Sequence, residues 1–251
     1  MGQTIGRLER IRRYPVKSMA GEDISAIYVH ETGVNGDRVF AFYDHESRRK
    51  GLPYFTGREK RELLLFQPRI IGEPDCTNVY PENYRPEIDI TLPSGQGTYA
   101  VQDAAVMEYI KKSSASRDVS LTLDYRRAGI QDGKPISLIG LSTLEQIARE
   151  SGVANLDPRQ FRENFYVAWN TPEPFFEDGL VGRCLGIGDK LLLHVVKKNE
   201  RCPMICINAD SGEYDKRVLS AVVKQHEVCA GVYATVRVPG VVRNGDPVML
   251  N

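Results

Sequence analysis

Residues 24–43 read ISAIYVHETGVNGDRVFAFY. Two runs rich in β-branched and aromatic residues, 24–29 and 38–43, flank the turn-rich ETGVNGD, and the pattern predicts two strands that pair across it. Similar runs recur along the chain. EIDITLP (87–93) alternates, with Ile88, Ile90 and Leu92 on one face. Further strand-like runs lie at 63–66, 119–125, 165–169, 190–196, 231–238 and 247–250. So many short strands at this spacing favour a closed or strongly bent sheet over a parallel one.

Three helices interrupt the strands. DAAVMEYIKKS begins on a capping Asp103. STLEQIARESG opens with what reads as a capping box, Ser142 with Glu145, puts Leu144, Ile147 and Ala148 on one face and stops at Gly152. DKRVLSAVVKQH presents Val218, Leu219, Val222 and Val223 together and ends in cationic residues that suit the helix dipole. The expected class is therefore α+β and mainly β. The polar stretch KKSSASRD (111–118) is the expected boundary between a β-rich N-terminal region, residues 1–115, and an α+β remainder, residues 116–251.

With 251 residues the chain can bury a large core, and 33 basic residues balance 33 acidic ones. No global field pulls it toward nucleic acid or an anionic membrane, so neither is an expected partner, and any anion site must be local. No apolar run approaches the ~18 residues of a membrane span. The first fifteen residues are charged where a signal peptide needs an apolar segment, and Gly6 stands where a myristoylation signal wants Ser or Thr. Five scattered cysteines argue against a disulfide framework, and a reducing cytoplasm is expected.

GQGTYA (95–100) fits a nucleotide-binding fingerprint, but no helix starts there and a hairpin turn is the better reading. The histidines at 30, 45, 194 and 226 are isolated, and His194 reads as structural. RCPMICINADSG (201–212) holds two cysteines four residues apart. Half a zinc site lacks a second pair, a cluster lacks grouped cysteines, and two inert thiols are the plain alternative. Arg201 before Cys202 shifts the balance, because a neighbouring guanidinium favours thiolate over thiol. A single soft thiolate beside cations can hold a metal whose other ligands are not protein. Elsewhere Lys17 and Ser18 follow a Tyr-Pro turn, Arg38 sits at the mouth of a strand, and Arg162 and Asn164 open another, on one face by period two. Each cation alone reads as surface charge. Together they supply donors suited to a phosphate and a hydrogen-bonding heterocycle.

YPVKSMAGE (14–22), FRENFYV (161–167) with PFFEDGLVGRCLGIGD, RCPMICINADSG and GVYATVRVPGVVRNGDPVML occur in an order that resembles the MOSC family, named for the C-terminal part of molybdenum cofactor sulfurases, from about residue 8 to the C-terminus. The resemblance implies a MOSC β-barrel-like core with a β-rich N-terminal region and a few peripheral helices. It implies the molybdenum cofactor, molybdopterin with Mo, with Cys202 as the metal's protein ligand and catalytic residue. By similarity to relatives such as the mitochondrial amidoxime-reducing component, Lys17, Ser18, Arg38, Arg162, Asn164 and Arg201 are the implied cofactor-binding residues. At family level it also carries an association with pyridoxal phosphate binding. The implied activity is reduction of N-hydroxylated small molecules. The chain has no flavin, nicotinamide or iron–sulfur motif, so electrons are expected from a separate reductase or ferredoxin-like protein. A persulfide sulfur carrier or a non-catalytic cofactor carrier would use the same thiol. The chain departs from the family after the cysteine: Ile205 and Cys206 stand where threonines are usual, and Asn208 where Asp is usual.

Overall fold

The computed structural model describes residues 2–47, 53–73, 75–112 and 119–251. Strands β1 (Gln3–Arg13), β2 (Glu22–Ile24), β3 (Ala26–His30), β4 (Gly33–Val34), β5 (Phe40–Asp44), β6 (Gln67–Ile71), β7 (Glu87–Thr91), β8 (Thr98–Ala100) and β9 (Leu121–Tyr125) come first. They are followed by β10 (Ile136–Gly140), β11 (Phe165–Trp169), β12 (Cys184–Ile187), β13 (Leu191–Glu200), β14 (Cys229–Val238), β15 (Gly240–Arg243) and β16 (Pro247–Leu250). The helices are α1 (Ala104–Lys112), α2 (Leu141–Ser151) and α3 (Arg217–Gln225).

A closed barrel runs β11-β10-β14-β13-β12-β16-β1 and back to β11, as the strand pattern predicted. The closing stave is β1, from the far end of the chain. It pairs with β16 (Gln3↔Leu250) on one edge and with β11 (Gly6↔Trp169) on the other. Alternate residues fill the interior, among them Leu8, Leu138, Phe165, Val167, Leu193, Val195, Val232 and Val248, all fully buried. Closure removes the exposed edges that open strands would present. A second core joins β5–β9, the β6-β7-β8 sheet and α1 through Phe40, Phe42, Phe66, Ile88, Ile90 and Val106. A third lies under α2 and α3 and includes Ile147, Tyr166, Cys206 and Val222.

Several local expectations are corrected. The runs at 24–29 and 38–43 do not pair: β3 pairs with β4 and β15, and β5 with β9. Between them the chain turns twice, through Gly36 (φ 72°) and Arg38 (φ 52°), and β5 leaves for the second core. Residues 63–66 are not a strand; a 3-10 turn covers Arg61–Leu65 and buries Leu63 and Leu64. The capping box at Ser142 does not form. Helix α2 grows directly from β10 at Gly140, so Ser142 lies inside the first turn and donates to the carbonyl of Glu173 at 3.2 Å. Val223 is exposed, and α3 buries Val218, Ala221 and Val222 instead. Asp103 does cap α1, accepting from the Ala105 amide at 2.8 Å, and Gly152 ends α2 in the left-handed region. The GQGTYA segment lies in the β7–β8 hairpin. From residue 113 the expected boundary stretch falls outside the described residues.

Candidate functional site

The segment leaving β1 creates the site. Its backbone lies along residues 38–40, with the Arg38 amide donating to the Tyr14 carbonyl at 2.6 Å and the Lys17 amide to the Phe40 carbonyl at 2.8 Å. Asp37, buried, accepts from the Tyr14 amide at 2.8 Å and from Arg38 Nη1 at 2.5 Å. These bonds bring Lys17, Ser18 and Arg38 together. The Arg12 amide donates to the Asn164 carbonyl at 2.8 Å, which draws in the entry to β11. The result is a pocket of about 260 Å³ whose walls include Lys17, Ser18, Arg38, Arg162, Asn164, Arg201 and Cys202, seven residues from four remote segments.

Ser18, Arg38 and Arg162 have φ of 66°, 52° and 56°; they are three of the six non-glycine residues with positive φ among those described. Each such residue costs about 1–2 kcal/mol, and strain of this kind gathers where function fixes the backbone. Arg162 is not in a strand, as period two implied, but is the left-handed cap of the 3-10 turn Pro158–Phe161.

The side chains differ in how much of their bonding capacity remains free. Asn164 is committed: its Oδ1 accepts from the Ser137 amide and hydroxyl, and its Nδ2 donates to the Arg12 carbonyl, each at 3.3 Å. Arg201 is committed too. Nε donates to the Ala230 carbonyl at 2.8 Å, Nη1 to the Phe161 carbonyl at 3.0 Å, and Nη2 pairs with buried Glu163. Arg201 thus holds the chain before Cys202, while the cation donating to Cys202 Sγ is Arg58, at 3.4 Å. Arg58 also reaches Asp132 at 3.2 Å, and Lys17 pairs with the other oxygen of Asp132. Burial pushes Lys17 below the ordinary lysine value, with Asp132 acting in the opposite sense. Burial pushes Asp132 upward, but the pull of Lys17 and Arg58 leaves it below the usual carboxylate range.

Arg162 and Ser18 remain. Among the described residues the Ser18 hydroxyl has no hydrogen-bond partner, and the Arg162 guanidinium has neither hydrogen bond nor ion pair; its Nη2 is buried. The guanidinium lies 4.4 Å from the centre of the Tyr14 ring, with Arg38 at 4.5 Å from the same ring. A desolvated cation with no ion pair or hydrogen bond of its own is a ready anion site.

Cys202 is half-buried and extended (φ −118°), and a 3-10 turn, Pro203–Cys206, follows it. Residues 202–206 are therefore not one extended run, and Cys206 does not face the same side as Cys202. The turn carries Cys206 into the core beneath α2 and α3, fully buried, and the pocket wall is formed by Met204 and Ile205 instead. All five cysteines are free. Sequence reasoning missed Arg58 and Asp132. Arg58 sits in a charged run that reads as solvated surface, and Asp132 in a Gln-Asp-Gly stretch that reads as a turn. Among the described residues no three His, Cys, Asp or Glu side chains group to hold a metal. Free donors in the same pocket as a thiol suit an anionic ligand that also carries a soft metal. Among the described residues no helix is long and apolar enough to cross a membrane.

Residues 5–120 match the family model of the MOSC N-terminal beta barrel domain, and residues 125–249 that of the MOSC domain. The crystal structure of the YUAD protein from Bacillus subtilis superposes with a TM-score of 0.52 at 14% identity, over 100% of this chain and 98% of that one, a likeness of fold. YiiM from Geobacillus stearothermophilus aligns over 47% of this chain and 54% of that one, with a TM-score of 0.36 at 17% identity. For YiiM from Escherichia coli the values are 47%, 54%, 0.35 and 20%. No curated protein matches the sequence.

Proposed function

The chain belongs to the MOSC family, an N-terminal beta barrel domain followed by a MOSC domain, and from this membership and the chemistry of the Cys202 pocket we propose that it is a molybdenum-cofactor reductase of N-hydroxylated compounds. The observation that carries the proposal is the Arg162 guanidinium, unpaired among the described residues, in the same pocket as a half-buried thiol. When bound, molybdenum held by a pterin dithiolene and one thiolate supplies two-electron chemistry that removes an oxygen atom from the substrate.

In this reading Cys202 is the protein's ligand to the metal. Lys17, Arg38 and Arg162 hold the cofactor's phosphate, with the Ser18 hydroxyl as a further donor. Asn164 and Arg201 act one step back: Asn164 ties β1 to β10, and Arg201, locked on Glu163, fixes the approach to Cys202. Arg58 orients the sulfur. Met204 and Ile205 give an apolar wall beside it, suited to the carbon skeleton of a small substrate. Electrons come from a separate redox protein.

Protein made in a cofactor-competent host tests the reading through its molybdenum and pterin content and its turnover of a hydroxylamine. Stoichiometric metal, with turnover driven by a reduced viologen and none with NADH alone, is expected. Absence of molybdenum with a persulfide on Cys202 would establish the sulfur-carrier alternative instead.

A further inference from the structure

Arg162 also stands in the wall of a second, larger cavity, of about 890 Å³, which lies between β1 and β2, the start of β6 and the 209–211 segment. Arginines dominate its chemistry. Arg10 and Arg12 share one carboxylate, Asp23, and Arg159 is taken by Asp157 and Asp210. Arg69, exposed, makes no hydrogen bond or ion pair among the described residues. Arg12 is only 4% exposed, and among the described residues its Nε is buried without a partner, as is Nη2 of Arg162. Both guanidiniums rest against the Tyr14 ring, at 5.9 and 4.4 Å from its centre, so two open donors of like charge are held against one ring. Buried donors are almost always satisfied; among the described residues these two, on residues of the wall of a roomy cavity, are not, and they call for an anionic acceptor.

We propose that this cavity binds a second anion of the phosphate class, a phosphomonoester or phosphoanhydride, with Arg12, Arg162 and Arg69 as its donors. Two sources offer that chemistry: the nucleotide extension of a pterin cofactor whose first phosphate occupies the Cys202 pocket, or a free phosphorylated compound. Only the first rests on the proposed function.

The test titrates inorganic pyrophosphate into the full-length chain, purified free of pterin, by calorimetry. Two sites are expected. Lys17→Ala should abolish one. Arg12→Lys, which keeps the charge but removes the Nε donor, should abolish the other. Arg69→Ala, at an exposed position that leaves the fold intact, should weaken that second site by about tenfold. A single site, lost in Lys17→Ala and untouched in Arg12→Lys and Arg69→Ala, overturns the proposal; if Arg12→Lys does not fold, Arg69→Ala decides. Mass analysis of pterin released from loaded protein then separates the sources. A nucleotide-extended pterin identifies the cofactor, and a monophosphate pterin with the second site still titratable identifies a free ligand. A monophosphate pterin with no second site overturns the proposal. Failure to load any pterin would count against the proposed function and leave the pyrophosphate result standing.

Discussion

Replacing Arg162 with Met should make the protein more stable and its anion binding weaker, two effects of opposite sign. Burial pushes the Arg162 guanidinium down to about 10, with nearby Arg38 adding to the effect and Tyr14 opposing it. A drop of that size from the ordinary arginine value corresponds to roughly 3 kcal/mol of differential interaction. Because the folded value lies below the unfolded one, this cost is fully present below about pH 10 and fades as pH rises toward the unfolded value. Methionine removes the charge, keeps much of the volume and leaves the backbone at the same positive φ. It forfeits the contact with Tyr14, worth about 1 kcal/mol. The net gain is roughly 1–2 kcal/mol, or about 3–6 °C in melting temperature for a chain of this size. Phosphate affinity should fall by about ten- to a hundredfold with the loss of one charge-assisted contact. Thermal unfolding in phosphate-free, low-salt buffer, repeated across a phosphate titration, reads both quantities. The variant should melt above the parent without ligand and below it at saturating ligand. A variant that melts lower without ligand and binds phosphate as tightly as the parent would show that Arg162 is a structural cation, and the anion-site reasoning would fall.

Ser18→Gly relieves a left-handed serine, a strain of about 1 kcal/mol, and should hold or raise the melting temperature while lowering cofactor retention. Ser18→Ala should lower retention equally without the gain, and unchanged retention in both would remove the hydroxyl from the site. Cys202→Ser should abolish turnover or alter the metal's spectrum. Cys206→Ser should keep the metal but lose about 1–3 kcal/mol of stability, because the hydroxyl enters a fully buried apolar cluster; equal loss of molybdenum in both would mean a two-cysteine site. Gly140→Ala should destabilise the junction of β10 and α2 by at least ~2 kcal/mol, since a Cβ there would come within 2.7 Å of the Trp169 ring nitrogen and 2.8 Å of Glu177. A denaturant midpoint equal to the parent's would show that the junction yields freely.

Local features of the chain were legible in the sequence. The alternation of Ile88, Ile90 and Leu92 is a backbone period, and all three are buried as it implies. Gly152 ends its helix and Asp103 begins one because capping depends on residues within one turn. The candidate site was legible in another way: Lys17, Ser18, Arg38, Arg162, Asn164, Arg201 and Cys202 were singled out by motif, and all line one pocket. Partners were not legible. Whether β5 pairs with β3 or β9, and that Gln3 meets Leu250 to close the barrel, follow from which apolar faces can be buried together across the whole chain, a choice no local window contains. The same holds for charge. Arg201 looked like the cation of Cys202, yet burial forces it onto Glu163, and Arg58, remote in sequence, takes its place at the sulfur. A guanidinium is a donor in any sequence; only the tertiary structure decides which carboxylates reach it, and so which arginine of the Cys202 pocket, here Arg162, has no carboxylate paired with it among the described residues.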